Sequence, residues 1–130
     1  MSSMATSGGY YVSIGADSIV ANPGSITGSI GVVMSYPTIT KLMEIVGVDY
    51  TTIKSGKFKD SGSLFRKTEK RDSQYFEEVV NELYDQFKLD VAKERSISME
   101  ELKDIAQGQI FSGRQALKLG LIDRLGTFED

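Results

Sequence analysis

The chain has 130 residues, 40% of them hydrophobic and 25% charged, the balance of one folded domain able to bury a core without staples. A net charge of −3 argues against a nucleic-acid footprint, and no apolar run reaches the roughly 18 residues that a membrane helix needs. Cysteine and histidine are both absent, which excludes disulfides, thiol nucleophiles, imidazole-rich zinc sites and any Ser-His-Asp triad built from this chain.

In chain order, the first feature is Ser7 followed by Gly8 and Gly9. Residues without a Cβ accept positive φ or close approach, so this reads as a sharp turn into a helix. The N–H groups at a helix start lack intrahelical acceptors and favour negative charge. A hydroxyl held beside them has donors at hand for a developing oxyanion. Equally, Ser-Gly-Gly is ordinary loop composition, and a serine there can be a plain N-cap. If the hydroxyl is a nucleophile, its base must be a lysine, a carboxylate or a group on another chain. Lysine is the best of these, because burial lowers its pKa toward the working range.

Tyr10 to Ala16 has helical spacing, with Tyr11 and Ile14 on one side; Tyr10 and Tyr11 read as core or pocket wall. Ser18 to Ala21 is a short strand closed by the turn residues Asn22-Pro23-Gly24. Thr27 to Ser35 reads as a second strand, with Gly28 and Gly31 marking bulges or close backbone approach. Thr38 to Val46 is amphipathic, and Gly47 is a stop signal. Val48 to Lys54 alternates and is rich in β-branched residues, so it reads as a third strand. Strand, helix, strand in that order implies a parallel crossover.

Lys54 to Lys67 is rich in glycine, serine and lysine and carries Phe58, Leu64 and Phe65. Composition alone favours a solvated loop with a few anchoring aromatics; the functional alternative is a loop delivering a lysine to a site. From about Glu69 to Glu94 the chain is one long helix. Its stripe of Phe76, Val80, Leu83, Phe87 and Val91, widened by Val79 and Tyr84, is core or partner-chain contact, while Glu77 and Glu78 belong to a solvated face. Ser98 with Glu101 and Ser112 with Gln115 are capping-box patterns. The second opens a helix that Gly120 ends, before a short strand or turn at Leu121 to Asp123.

Five segments taken together resemble the signal peptide peptidase A family of serine proteases over nearly the whole chain. They are Met-Ala-Thr-Ser-Gly-Gly-Tyr-Tyr (4–11), Asp-Ser-Ile-Val-Ala-Asn-Pro (17–23) and Thr-Gly-Ser-Ile-Gly-Val (27–32), then Ile-Lys-Ser-Gly-Lys-Phe-Lys-Asp (53–60) and Gly-Arg-Gln-Ala-Leu-Lys-Leu-Gly-Leu-Ile-Asp (113–123). The resemblance implies an α/β fold of stacked β-α-β units similar to Clp protease and crotonase, present in part, with a long C-terminal helix and short helices. It implies a Ser/Lys dyad, with Ser7 as nucleophile and Lys59, in preference to its loop neighbours Lys54 and Lys57, as general base. Ser29 matches a serine that orients the lysine, and the amide of Gly8 matches one oxyanion donor. No cofactor and no metal are implied.

The implied substrates are hydrophobic peptides such as remnant signal peptides, and the implied assembly is a homo-oligomer. Residues 1–130 are expected to be a single domain, the C-terminal half of a catalytic domain. Relatives carry an upstream portion with a membrane anchor and the second oxyanion amide, so membrane association is expected of the parent protein and solubility of this chain. The alternative expectation is a catalytically incompetent piece serving as an oligomer-assembly module. An acyl-CoA enzyme of the similar crotonase fold stands further off, since it has no need of Ser7 and Lys59 as a pair.

Overall fold

In the computed structural model, which describes residues 1–127, short strands alternate with helices along the chain. Two units separate by their internal contacts: Met1–Val32 with the chain from Glu82 onward, and Val33–Asn81. The first unit opens with β1 (Met4–Thr6), α1 (Gly8–Ser13), β2 (Val20–Ala21) and β3 (Ile26–Gly28). The second contains α2 (Thr40–Val46) and the start of α3 (Lys70–Arg95), whose C-terminal part belongs to the first unit. There α4 (Met99–Ile105), β4 (Ile110–Ser112), α5 (Gly113–Lys118) and β5 (Arg124–Leu125) follow. The mixture of helix and strand is that of an α/β protein.

Sheet topology in the first unit places the ends of two strands side by side. β3 is central, parallel to β1 with Thr6 opposite Gly28, and antiparallel to β4 with Ile26 opposite Ser112. A parallel pair cannot close through a tight hairpin, and α1 lies in the connection between β1 and β3. β2 pairs with β5, also in parallel. Beneath these strands Tyr10, Ile14, Ile19, Ile30, Phe87 and Val91 join Leu102, Ala116, Leu121 and Ile122 in an apolar core. Each large side chain buried this way contributes about 1.5–3 kcal/mol of transfer free energy. Buried hydroxyls are satisfied: Thr27 Oγ1 donates to the Ala5 carbonyl at 2.7 Å, and Ser25 Oγ to that of Ser2 at 2.8 Å.

Local signals place several elements where the sequence puts them. Gly47 ends α2 in the left-handed region at φ 72°, and α3 matches the expected long helix to within a residue at each end. Both capping boxes form at Ser98 and Ser112, each with reciprocal side-chain and backbone bonds. Gly120 follows α5 at φ 73°.

Other expectations are corrected. The helix expected from Tyr10 starts two residues earlier, at Gly8; of the short strand or turn expected at Leu121 to Asp123, the chain bends there and the strand β5 follows it. The second strand ends at Gly28, not Ser35, because Gly28 and Ser29 take φ of 81° and 54°, which breaks the pleat. Val48 to Lys54 forms no strand. Alternation and β-branching favour a strand only when a neighbour completes the ladder, and no described residue pairs with this segment. The parallel crossover expected through residues 38–46 is therefore absent among the described residues; the parallel pair is β1 with β3. Of the α3 stripe, Phe87 and Val91 are core, whereas Leu83 is 49% exposed.

Candidate active site

Ser7 occupies the single residue between β1 and α1, at φ 51° and ψ −119°. A residue with a Cβ avoids this region, and holding one there costs about 1–3 kcal/mol. Surrounding structure over-determines the turn. The Ser7 N–H donates to the Gly28 carbonyl at 2.8 Å, and the Ser7 carbonyl accepts from the Tyr11 N–H at 2.9 Å. One turn into α1, the buried Tyr10 hydroxyl donates to the Leu121 carbonyl at 2.8 Å. Burial pushes the Tyr10 phenol well above its ordinary value, with Asp123 adding to the rise and Arg95 opposing it. Tyr11 donates its hydroxyl to Asp90 and sets its ring edge-on to Phe87 at 4.8 Å.

With the backbone so fixed, the serine hydroxyl is left over. Ser7 stands in the N-cap position of α1, yet its side chain makes no capping hydrogen bond. That removes the plain N-cap role which the sequence left open. The first turn of α1 carries no acidic side chain, and a Cβ placed on Gly8 would meet nothing within 4 Å. The half-buried Ser7 therefore adjoins backbone N–H groups and open space.

Ser29 comes to the same place along the neighbouring strand. It follows Gly28, the register partner of Thr6, so Ser7 and Ser29 stand at adjoining C-terminal ends of parallel strands. This is where open α/β sheets gather functional groups. Ser29 is held at φ 54° by its N–H, which donates to the Gln109 carbonyl at 2.7 Å. Gly28 is required beside it: a Cβ there would lie 2.7 Å from Phe111 Cδ2 and 3.0 Å from the Gln109 carbonyl oxygen. Ser7, Gly8 and Ser29 thus share one corner of the first unit.

Lys59 belongs to the second unit, in a run of turns from residue 57 to 62. Its N–H donates to the Gly56 carbonyl at 3.1 Å, and the following turns close with Ser61 N–H to Phe58 and Ser63 N–H to Asp60, both 3.1 Å. Lys54, Lys57 and Lys59 are differently engaged. Lys54 Nζ is paired with Asp60 Oδ1 at 2.6 Å, and Lys57 Nζ lies 5.0 Å from the Phe58 ring centroid. Lys59 is exposed, and among the described residues its ammonium has no ion-pair or hydrogen-bond partner.

The same loop holds a cluster that spacing did not reveal. Asp72, completely buried in the first turn of α3, accepts from Arg66 Nη1 at 2.5 Å and Nη2 at 3.0 Å, from Ser61 Oγ at 2.7 Å and from the Glu69 N–H at 3.0 Å. Arg66 Nη2 also donates to Asp60 Oδ1 at 3.1 Å. Its Nε lies 3.0 Å from Asp60 Oδ2, close enough for an ion pair but off the N–H axis of a hydrogen bond. Arg66 and then Ser61 hold the Asp72 carboxyl far below the ordinary carboxylate range; Lys54 and then Arg66 lower that of Asp60. These residues stand six apart in sequence, a spacing with no helical or strand meaning.

Among the described residues no group of three or more His, Cys, Asp or Glu side chains could hold a metal ion, and no helix is long and apolar enough to cross a membrane. An open cavity of about 350 Å³ in the second unit is lined by Met43, Val48, Tyr50, Phe65 and Lys67 among others.

The model of peptidase family S49 matches residues 1–130. A protein of Synechocystis sp. is 43% identical over 127 residues, which are 98% of this chain and 46% of that relative. The chloroplastic serine protease SPPA of Arabidopsis thaliana is 37% identical over 97% of this chain and 19% of its own length. Protease 4 of Haemophilus influenzae is 33% identical over 100% of this chain and 21% of its own length. The chain spans less than half of each of these relatives.

Proposed function

The chain belongs to peptidase family S49, and on that footing we propose that it carries the nucleophile and general base of a serine endopeptidase of the signal peptide peptidase A type, working through Ser7 and Lys59. The observation that carries the proposal is the Ser7 turn: a non-glycine residue at φ 51°, pinned by backbone bonds, with its hydroxyl unspent on capping. Strained strand-to-helix turns that expose a serine are how other hydrolases present a nucleophile. Lys59 is proposed as base because it matches the family motif; it is also the loop lysine without a partner among the described residues.

In the proposed reaction Ser7 Oγ attacks the scissile carbonyl while the Lys59 amine, as general base, takes the hydroxyl proton. Charge on the tetrahedral oxygen is met by the Gly8 N–H, a first-turn amide with no intrahelical acceptor. The Lys59 ammonium then gives its proton to the departing amine, and water releases the acyl group by the same path reversed. Ser29 orients the lysine. No cofactor takes part. The proposed substrates are hydrophobic peptides, remnant signal peptides among them. The proposed setting is a Clp-protease- and crotonase-like domain within a longer, membrane-associated protein.

A second proposal, that the chain also serves assembly into a homo-oligomer, is favoured by the second unit's surface. There α2 buries none of its residues, and Val33, Ile45 and Ile53 are 87%, 82% and 97% exposed.

Peptide hydrolysis by the full protein tests the dyad. Ser7→Ala and Lys59→Ala should each lower turnover by about 10⁴-fold or more, and the double variant no further, since the two act as one unit. Lys54→Ala and Lys57→Ala should keep most of the activity. Near-normal turnover in Lys59→Ala would overturn the assignment of the base.

A further inference from the structure

We propose that Arg66, Asp72 and Ser61 are positioning residues that fix the backbone on either side of Lys59 and so set where its amine stands. The inference rests on the dyad reading for its catalytic consequence, and on the second unit's own geometry for the rest. Among the described residues, Asp72 is the only buried residue between Val33 and Asn81, so this unit is organised around a carboxylate where a core would otherwise be. That carboxylate accepts four hydrogen bonds from three different places: the fork of Arg66, the Ser61 hydroxyl and the Glu69 N–H before α3. Two-pronged Arg–carboxylate pairing fixes direction as well as distance.

The consequence falls on the residues adjoining the lysine. Asp60, next to Lys59, is gripped by Arg66 through both carboxylate oxygens, at 3.1 and 3.0 Å; Ser61, one further, is tied to Asp72 at 2.7 Å. On the other side the turn from Gly56 closes on the Lys59 N–H. Lys59 is thus tethered through its backbone while its side chain stays uncommitted. A catalytic amine needs that combination, because a displacement of an ångström can cost about 10²-fold in rate. Ring contacts add to the tether, Phe58 on Tyr75 at 5.2 Å and Phe65 on Tyr50 at 4.3 Å, but Phe58, Leu64 and Phe65 each stay more than a third exposed and form no buried core.

The test uses the full protein with Arg66→Met, Arg66→Lys, Ser61→Ala and Ser61→Thr, and with Lys59→Ala in parallel. Turnover is followed with a peptide substrate, and the rate of amine acylation at Lys59 and Lys57 is mapped by mass spectrometry. Arg66→Met should lower kcat by about 10–10²-fold with KM little changed. It should also change the acylation rate of Lys59 several-fold and leave Lys57 as it was. Arg66→Lys keeps the charge but not the fork and should not restore kcat. Ser61→Ala, which leaves the ion pairs in place, should give a smaller loss of the same kind, and Ser61→Thr should restore it. Unchanged kcat and unchanged Lys59 acylation in Arg66→Met and Ser61→Ala would overturn the proposal. So would equal changes at Lys57 and Lys59 with a matching loss of folded protein, the signature of general unfolding. If Lys59→Ala itself keeps turnover, the dyad fails and the acylation rates alone decide the positioning role.

Discussion

Apolar side chains from α1, β2, the end of α3, α4, α5 and the segment before β5 meet in the interior of the first unit, whereas the buried residue of the second is the carboxylate Asp72. An apolar core is non-directional and tolerates small shifts, yet it supports a strained turn well, because many weak contacts add. Ser7 sits on such a base, at φ 51° above Tyr10 and Leu121. A charged cluster is directional and demands that each partner stay in place. The loop of Lys59 is held that way, through Arg66 and Asp72. The proposed nucleophile is carried by packing and the proposed base by ion pairs, so the two should fail under different perturbations.

The largest break in that contrast should come from Gly113→Ala. A Cβ there would lie 2.1 Å from the Asn22 carbonyl oxygen, which is backbone and cannot swing aside. Overpacking of this kind should cost about 3 kcal/mol or more. Denaturant unfolding followed by amide exchange should show the loss in β1, β3 and β4, with the exchange of residues 56–63 responding only through global unfolding.

Acid should act the other way round. Asp60 and Asp72 have folded-state pKa values below the ordinary 3.8, so their ionisation stabilises the folded state above that value. The contribution is lost as pH falls through the depressed values, where the folded state must take up protons. In the first unit Asp123 is lowered by Arg95 and by the Ile19 N–H, and Glu101 by its capping box, but neither is the centre of a buried cluster. As pH falls below about 4, amides of residues 56–66 should lose protection before those of β3. Simultaneous loss in both would contradict the contrast.

A smaller effect isolates the base of the Ser7 turn. Tyr10→Phe removes the donor to the Leu121 carbonyl and should cost about 1–3 kcal/mol by leaving a buried acceptor unpaired. The Tyr10 phenol titrates above its ordinary 10.0 when folded, so its stabilising contribution is complete below that pH and fades as pH rises. The variant should lose part of the protein's sensitivity to alkali above pH 10, visible in unfolding midpoints.

Much of this was legible in the residues. Capping boxes at Ser98 and Ser112, the stop at Gly47 and the span of α3 are local chemistry, written in neighbours three or four apart. The turn at Ser7 was legible as a turn through Gly8 and Gly9. Its positive φ was not, because that conformation depends on the Gly28 carbonyl and on Tyr10 reaching Leu121. Val48 to Lys54 misled because alternation describes a willing strand and says nothing of a partner. Arg66, Asp60 and Asp72 were illegible as a cluster, since turns and not a periodic element bring them together.

The most direct measurement of the central claim is labelling of the full protein with a serine-reactive fluorophosphonate, with the modified peptide located by mass spectrometry. Covalent capture needs an activated hydroxyl beside a base, which a turn or capping serine does not have. The label should fall on Ser7, disappear in Ser7→Ala and slow by orders of magnitude in Lys59→Ala. A protein that cleaves peptides while Ser7 stays unlabelled, or that labels at Ser7 equally fast without Lys59, would contradict the account.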